Sequence, residues 1–191
     1  MQTIQGEGHW VGLLVDFIRL AGCPVGCWFC DTGYAKGAPP VKYDKLTIQE
    51  ITDRLKTKQI VISGGEPLIH RGILGLIDSL LAKNYRVYVE TSGSHWQDLP
   101  ESVWITLSPK EHISQYPTDD RFWARANEIK IVISTGQELE YYASRIKNTT
   151  PVFLQPEWTH RDRTIPLTLE IQKHHPTVRL SLQIHKIIGL P

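Results

Sequence analysis

Short, nearly all-apolar segments alternate with amphipathic segments along this chain of 191 residues. The apolar segments are rich in β-branched and aromatic residues, which favour β-strands. We therefore predict strands at 13–20, 59–62, 86–90, 103–107, 128–133, 152–154 and 179–184. Strands that are apolar throughout, without alternating polar positions, are typical of a parallel sheet that is covered on both faces.

Helical patterns lie between several of these strands. Thr47 followed by Glu50 is the pattern of a capping box, and apolar residues then recur at helical spacing up to Leu55. A second apolar stripe runs from Ile73 to Leu81, and weaker patterns predict helices at 137–146 and 166–174. The segment 109–127 has no apolar stripe, so we expect a loop there.

The alternation of strands and helices predicts an α/β fold. A complete eight-unit barrel takes roughly 250 residues, so we expect a partial, open (βα) TIM-like barrel with a parallel sheet, built as a single domain over 1–191. The formal net charge of +1 gives no sign of a nucleic-acid-binding surface. The apolar runs are too short to span a membrane. We therefore expect neither nucleic acid nor a membrane as a partner.

Polar clusters follow the predicted strands at nearly every strand end. In parallel α/β folds the carboxyl ends of the strands meet at one rim, where binding and catalytic residues collect. The clusters are the loop at 23–30, Ser63-Gly64-Gly65-Glu66-Pro67, Thr91-Ser92-Gly93, Ser108-Pro109-Lys110, Gln155-Pro156-Glu157-Trp158 and His185-Lys186. We predict one site on that rim.

All three cysteines of the chain, Cys23, Cys27 and Cys30, lie in one loop with the spacing C-x3-C-x2-C. Three thiolates can hold three corners of a [4Fe–4S] cluster and leave the fourth iron open to a ligand. A structural zinc site is the alternative, and it needs a fourth ligand such as His9 or a more distant histidine. A disulfide with one thiol left over is disfavoured, because the absence of a signal peptide predicts a reducing cytoplasm.

This cysteine spacing is the signature of the radical S-adenosylmethionine enzymes, and the chain resembles them here. The Gly64-Gly65-Glu66-Pro67 segment resembles their motif for the methionyl amino group. The resemblance implies a radical SAM core in which S-adenosylmethionine chelates the fourth iron and yields a 5′-deoxyadenosyl radical. Further motifs extend the match nearly end to end and resemble the 7-carboxy-7-deazaguanine synthase family: Ile4-Gln5-Gly6-Glu7-Gly8, Phe17-Ile18-Arg19-Leu20, Cys30-Asp31-Thr32 and the tail 185–191.

That resemblance implies a lyase of the queuosine pathway. The expected reaction is radical ring contraction of 6-carboxy-5,6,7,8-tetrahydropterin to 7-carboxy-7-deazaguanine with loss of ammonia. It also implies a [4Fe–4S] cluster, S-adenosylmethionine and Mg²⁺ as cofactors. The expected partners are the pterin substrate, a flavodoxin- or ferredoxin-type reductant and a second copy of the chain, all in the cytoplasm.

The resemblance also assigns roles to individual residues. Cys23, Cys27 and Cys30 are expected to hold the cluster, and Thr32 is the expected ligand of Mg²⁺. Contacts to S-adenosylmethionine are expected from Phe29, Asp31, Gly65, Ser92, Ser108, Pro109, Lys110, Gln155, Pro156, Glu157 and Trp158. Contacts to the substrate are expected from Ile4, Gln5, Gly6, Arg19, Ser63, His185 and Pro191, the last through a terminal carboxylate that folds into the site.

Two of these residues have a structural alternative. Arg19 lies inside an apolar strand, where a buried guanidinium must be paired. It could grip a substrate carboxylate with its two parallel donors, or form an internal ion pair with Asp16 or a glutamate. His185 could contact the substrate or be a satisfied core histidine.

Two other functions remain open at this point. A glycyl-radical enzyme activase shares the cysteine spacing, but it has no need of Thr32, Arg19 or Pro191. A non-enzymatic interaction module could use the cysteines to bind a structural metal. The chain also starts three residues before Ile4, so we expect either a truncated start or a shorter lead-in strand than the relatives have.

Overall fold

The predicted strands form one sheet in the computed structural model, which describes residues 1–34 and 37–190. Within those residues the sheet has eight strands that follow one another in chain order. They are β1 (Gln2–Ile4), β2 (Leu14–Leu20), β3 (Gln59–Gly64), β4 (Arg86–Thr91), β5 (Trp104–Leu107), β6 (Glu128–Ile133), β7 (Val152–Pro156) and β8 (Arg179–Leu180). β1 is antiparallel to β2, and every later pair is parallel. In this part of the chain no ladder joins β8 to β1, so the sheet is open, as predicted.

Helices connect the strands. They are α1 (Ile48–Asp53), α2 (Ile73–Ala82), α3 (Asp120–Arg125), α4 (Glu138–Tyr142), α5 (Arg161–His174) and α6 (Ile184–Ile187), with 3₁₀ turns at Pro67–Ile69 and Ala143–Arg145. α1 begins at the predicted capping box: the Glu50 amide donates to Thr47 Oγ1 at 3.2 Å, and the Thr47 amide donates to Glu50 Oε2 at 2.7 Å. Across the described residues, no helix has the length and apolar character that crossing a bilayer requires.

The structure differs from the predicted elements in three places. The segment 109–127, expected to be a loop, contains the short helix α3, which buries only Phe122 and Trp123 and so shows no apolar stripe. α5 starts at Arg161 and contains Pro166, whereas the sequence pattern predicts a start at that proline. The strand expected at 179–184 is only Arg179–Leu180, because the chain then leaves β7 and turns toward the N-terminal segment.

The two faces of the sheet bury different side chains. Isoleucines such as Ile60 and Ile62 face the helices and form the main core. A second cluster on the other face contains Val61, Tyr88, Trp10 and Trp104, with ring centroids of Trp10 5.4 Å from Tyr88 and 5.1 Å from Trp104. This cluster fills the interior near the amino ends of the parallel strands. The space at their carboxyl ends is left for polar groups.

Glu138 at the start of α4 fixes the loop that leaves β6. Its Oε1 accepts hydrogen bonds from the amides and hydroxyls of Ser134 and Thr135, at 2.6–3.0 Å, and its Oε2 accepts one from the Gly136 amide at 2.8 Å. Burial opposes ionisation of this carboxyl, but the hydrogen bonds from Ser134 and Thr135 outweigh it and lower the pKa of Glu138 to about 2.

We expect Glu138→Gln to lower the free energy of unfolding by about 1–3 kcal/mol at neutral pH, because buried donors lose their charged acceptor. In the folded protein the pKa of Glu138 lies below the usual 4.5. The charge of this carboxylate therefore contributes fully to the free energy of unfolding at pH values above its pKa in the unfolded chain. That contribution is lost as the pH falls toward the pKa in the folded protein. In urea unfolding, the difference in free energy of unfolding between wild type and Glu138→Gln should therefore narrow below about pH 5. Glu140→Gln, at an exposed position of the same helix, is the control. A gap that stays constant with pH would contradict this assignment.

Candidate active site

The carboxyl ends of the parallel strands surround a cavity of about 620 Å³. That volume lies within the range of roughly 300–1,000 Å³ for small-molecule sites. Nearly all of the site residues predicted from sequence line this cavity: Ile4, Gln5, Arg19, Cys23, Cys27, Phe29, Cys30, Asp31, Thr32, Ser63, Gly65, Ser92, Ser108, Lys110, Gln155, Pro156, Glu157, Trp158 and His185. The structure thus brings together residues from both ends of the sequence.

Among the described residues, two of the predicted ones are not on the cavity wall. Pro109 is buried away from it. Gly6 lies behind His185: its carbonyl accepts a hydrogen bond from the Ile184 amide at 3.0 Å, and a Cβ at this position would lie 2.0 Å from His185 Nδ1. Pro191 lies outside the described residues.

The three cysteines are free thiols, half-buried, and all face the cavity. Burial raises the pKa of Cys23 and Cys27. In the described part of the chain no three His, Cys, Asp or Glu side chains converge on one position that a single ion could occupy. In a [4Fe–4S] cluster each thiolate binds a different iron, so three thiols on one cavity wall are a suitable set of protein ligands.

The turn Gly64–Gly65 packs directly against the start of the cysteine loop. The Gly65 amide donates to Leu20 O at 2.8 Å, and the Glu66 amide donates to Gly22 O at 2.9 Å. A Cβ on Gly65 would lie 1.9 Å from Gly22 O and 3.0 Å from Cys23 Cβ. Only glycine allows this approach of the two backbones.

Glu66, next in the same motif, fixes the loop after β4. Its Oε2 accepts hydrogen bonds from the Ser92 amide at 2.8 Å and the Ser92 hydroxyl at 2.5 Å, and its Oε1 accepts one from the Thr91 hydroxyl at 2.6 Å. The buried carboxylate therefore ties β3 to the end of β4. The hydroxyl of Ser92, predicted to meet a ligand, donates to Glu66 and accepts the Ser94 amide at 3.3 Å, so its hydrogen bonds here lie within the protein.

Lys110 and Gln155 bring two further polar groups to the wall. Burial lowers the pKa of Lys110 to about 8, and its ammonium donates to the carbonyl of Ser108 at 2.7 Å and to its hydroxyl at 2.6 Å. Gln155 Oε1 is buried and accepts no hydrogen bond from the described residues. An unpartnered buried acceptor that lines a cavity is available to a ligand N–H.

The expectation that Arg19 is buried was wrong. Its side chain is exposed, lines the mouth of the cavity and lies with Cζ 5.0 Å from the Phe17 ring centroid. The internal pair with Asp16 is also wrong, because Asp16 Oδ2 accepts the amides of Lys56 and Thr57, both at 2.7 Å. Arg19 lies on the inner face of the sheet, near the rim of the cavity. Its apolar neighbours in sequence would be the same in a packed core, so the sequence pattern could not distinguish the two environments.

His185 is half-buried on the cavity wall, which excludes the core-histidine alternative. Burial lowers its pKa. Leu190 folds back to the same cavity, and its amide donates to His185 O at 2.8 Å. The C-terminal segment therefore forms part of the site up to the last described residue.

Two predicted cofactor contacts use their carboxylates within the protein. Asp31 Oδ2 accepts hydrogen bonds from Lys186 Nζ at 2.5 Å and from Gln183 Nε2 at 3.1 Å. Glu157 accepts the amides of Thr159 at 2.6 Å and His160 at 3.0 Å, which fixes the loop before α5. Both residues line the cavity, so their contact with a ligand would come through other atoms or a remaining lone pair.

The cavity has a charged floor that the strand-end clusters of the sequence did not predict. Lys130 Nζ donates to Glu7 Oε2 and, at 3.2 Å, to Glu90 Oε2. Gln5 Nε2 donates to Glu90 Oε1 at 2.7 Å, and Gln183 Nε2 donates to Glu7 Oε1 at 2.7 Å. A signal was present for Lys130, because a lysine interrupts an otherwise apolar strand at 128–133.

Comparison with known proteins identifies the family. A family model for the radical SAM superfamily matches residues 17–104. 7-carboxy-7-deazaguanine synthase of Flavobacterium psychrophilum is 34% identical over 200 residues, covering 99% of this chain and 89% of the relative. The enzyme of that name from Escherichia coli K12 is 31% identical, covering 99% of this chain and 96% of the relative. The chain belongs to the 7-carboxy-7-deazaguanine synthase family.

Solved structures agree with this family. The crystal structure of QueE from Escherichia coli matches with a TM-score of 0.79 and 30% identity over 97% of this chain and 92% of that chain. SuiB from Streptococcus suis, bound to S-adenosylmethionine, matches with a TM-score of 0.58 over 88% of this chain and 49% of that chain; at 12% identity it shows the fold alone. As a member of the 7-carboxy-7-deazaguanine synthase family, this chain is an enzyme, which excludes the interaction module.

Membership of the radical SAM superfamily implies a [4Fe–4S] cluster and S-adenosylmethionine. The site fits both. The three thiols supply the donor set for the cluster, and the close approach at Gly65 leaves backbone at the cavity wall beside the cysteine loop.

We expect Gly65→Ala to lower the iron and sulfide content of the reconstituted protein to well below half that of wild type. The added methyl group would push away Gly22 and Cys23, which begin the cysteine loop. Gly72→Ala is the matched control, since a Cβ there meets no atom within 4 Å. Equal cluster content in both variants would show that the close contact does not position the loop.

Proposed function

We propose that this chain converts 6-carboxy-5,6,7,8-tetrahydropterin to 7-carboxy-7-deazaguanine and ammonia. The observation that carries the proposal is that the three cysteine thiols and the charged floor of Glu7, Lys130 and Glu90 open onto one cavity. Both features occur in a chain that matches 89% and 96% of the length of two enzymes named for this product.

The reaction balances without an external oxidant or reductant, because the product and ammonia together contain the atoms of the substrate. When bound, the cluster and S-adenosylmethionine would supply a 5′-deoxyadenosyl radical for abstraction of hydrogen from C6 of the pterin, and the resulting 5′-deoxyadenosine would return that hydrogen after the rearrangement. The protein's part is to orient the two ligands and to exclude water.

The cavity wall offers polar groups to both ligands. Gly65, Ser108, Lys110 and Gln155 line it and suit the amino acid, ribose and adenine groups of S-adenosylmethionine. Gln5, Arg19, Ser63 and His185 line it together with the charged floor and suit the pterin substrate. In this proposal Arg19, exposed at the mouth, binds the substrate carboxylate with its planar fork. Pro191 follows Leu190, which lines the cavity, and its contact with the substrate remains part of this proposal.

The proposal includes Mg²⁺ at Thr32. Its hydroxyl donates to Gly64 O at 3.3 Å and lies 3.2 Å from Cys30 Sγ, on the cavity wall. One hydroxyl is a sparse ligand set, but Mg²⁺ usually keeps several waters and accepts substrate oxygens.

We expect Thr32→Val to weaken the stimulation of turnover by Mg²⁺, while cluster content stays at the wild-type level. The shape of the side chain is kept and only the oxygen is lost. Mg²⁺ titrations of initial rate would measure this, with Thr52→Val, on α1 outside the cavity, as the control. An unchanged Mg²⁺ response would remove Thr32 from the metal site.

Further parts of the proposal concern partners and compartment. Trp28, between two cluster-binding positions, is 52% exposed, which gives a flavodoxin- or ferredoxin-type reductant access to the cysteine loop. Exposed Ile187 and Ile188 on and after α6 support association as a homodimer. Three thiols that must stay reduced to bind iron favour the cytoplasm. We propose that the whole chain acts as one domain.

The test is an anaerobic assay of the reconstituted, reduced protein with S-adenosylmethionine, Mg²⁺ and 6-carboxytetrahydropterin, with products identified by mass spectrometry. We expect 7-carboxy-7-deazaguanine without matching consumption of S-adenosylmethionine, and none from Cys27→Ala. Formation of 5′-deoxyadenosine without that product would reject this substrate and favour the glycyl-radical activase.

A further inference from the structure

Lys130 is the buried centre of the cavity floor. Along β6 the side chains of Ile129, Ile131 and Ile133 pack into the main core against the helices. Lys130 is directed to the other face, where it lines the cavity. Its side chain is 5% exposed, and those of its partners Glu7 and Glu90 are 13% and 17% exposed.

The floor holds two carboxylates for one ammonium. Glu7 comes from the loop after β1 and Glu90 from β4, and Lys130 Nζ donates to one oxygen of each. Gln183 and Gln5 donate to the remaining oxygens. A carboxylate has about four acceptor positions, so each keeps free lone pairs. The floor therefore presents hydrogen-bond acceptors, which suit the N–H groups of a nitrogen heterocycle.

We infer that Lys130 is a positioning residue that keeps Glu7 and Glu90 both ionised and directed at the substrate ring. This inference rests on the proposed function and adds a residue that acts through the two carboxylates. Two partly buried carboxylates in one site raise each other's pKa unless a cation lies between them. Without Lys130, one carboxylate would hold a proton and become a donor where the substrate needs an acceptor.

The other charged groups around the floor leave this role to Lys130. Glu128, on the same strand, accepts hydrogen bonds from the Thr106 hydroxyl at 2.7 Å and the His9 amide at 2.8 Å, and burial raises its pKa. Lys110 from the loop after β5, Asp31 from the cysteine loop and His185 from α6 act on the floor at longer range. Of the described residues, Lys130 is the cation in ion-pair contact with Glu7 and Glu90.

Equilibrium binding tests this inference separately from turnover. The probe is 7-carboxy-7-deazaguanine, titrated calorimetrically into reconstituted protein with S-adenosylmethionine present and no reductant. The range of about pH 6 to about pH 7.5 lies above ordinary carboxyl pKa values and below the pKa of about 8 for Lys110. We expect wild-type affinity to change less than about twofold across it, because Lys130 is paired with both carboxylates.

Lys130→Met should bind the probe at least about tenfold more weakly at pH 6 and recover part of the loss as pH rises, because the shared proton is then released. Lys130→Arg keeps the charge and should retain a flat profile. Lys130→Met/Glu90→Gln has only one carboxylate, so its affinity should be low but independent of pH. Lys173→Met, exposed on α5, is the control.

Circular dichroism reports whether each variant folds, and Lys130→Gln replaces Lys130→Met if the latter does not. Loss of affinity with a flat pH profile in the neutral variant would show a merely structural role and overturn the inference. A pH dependence of affinity that persists in Lys130→Met/Glu90→Gln would also overturn the inference. Wild-type protein that neither binds the probe nor turns over the pterin would reject the proposed function and the inference together. If Lys130→Met binds the probe with the same affinity as wild type, the inference is rejected but the proposed function stands.

Discussion

The ammonium group of Lys130 is almost excluded from solvent inside the barrel, and a buried charge must be paired to be tolerated. Glu7 and Glu90 meet this requirement from two other segments of the chain. Removing one partner of a buried ion pair costs about 3–5 kcal/mol. This cost holds the loop after β1, strand β4 and strand β6 in one arrangement, although the partners are far apart in sequence.

On the inner face of the sheet, β3 and β4 each contribute to the apolar cluster at one end and to the polar cavity at the other. The order of side chains along these strands explains where the cavity lies. Tyr88 contributes to the apolar cluster near the amino ends, and Glu90, two residues later, lies in the floor. Val61 and Ser63 repeat the change on β3. Alternate residues of a strand share a face, so a step of two residues moves from packed core to polar cavity. The ion-paired floor rests on the aromatic cluster and faces the cysteine loop.

Sequence patterns predicted the parallel strands because their continuous apolar runs are long and distinct, and the capping box predicted the start of α1. They failed at 179–184, where pairing with β7 is brief and no local signal marks its end. Strand-end clusters predicted most of the cavity wall, because a parallel sheet brings those ends to one rim. The pairing of Lys130 with Glu7 could not be predicted, since nothing local links residues on strands that are not neighbours. Arg19 was misjudged because an inward-facing position at an open rim has the same apolar neighbours as a buried one.

The C-terminal segment at the open edge of the barrel connects the charged floor with the cysteine loop. Edge strands leave backbone groups unpaired, and here the C-terminal segment crosses the gap between β8 and β1. The Gly8 amide donates to Ser181 Oγ at 2.9 Å, and the Ile184 amide donates to Gly6 O at 3.0 Å. The same segment sends Gln183 to Glu7 in the floor, and Gln183 and Lys186 to Asp31, beside Cys30. A loop that binds iron must keep its thiols at fixed separations. Within the cysteine loop, the Cys30 amide donates to Cys27 O at 3.2 Å, and this backbone contact spans only one turn. The C-terminal segment therefore braces the cysteine loop against the charged floor. Coverage of the open edge and placement of the cluster ligands depend on the same segment.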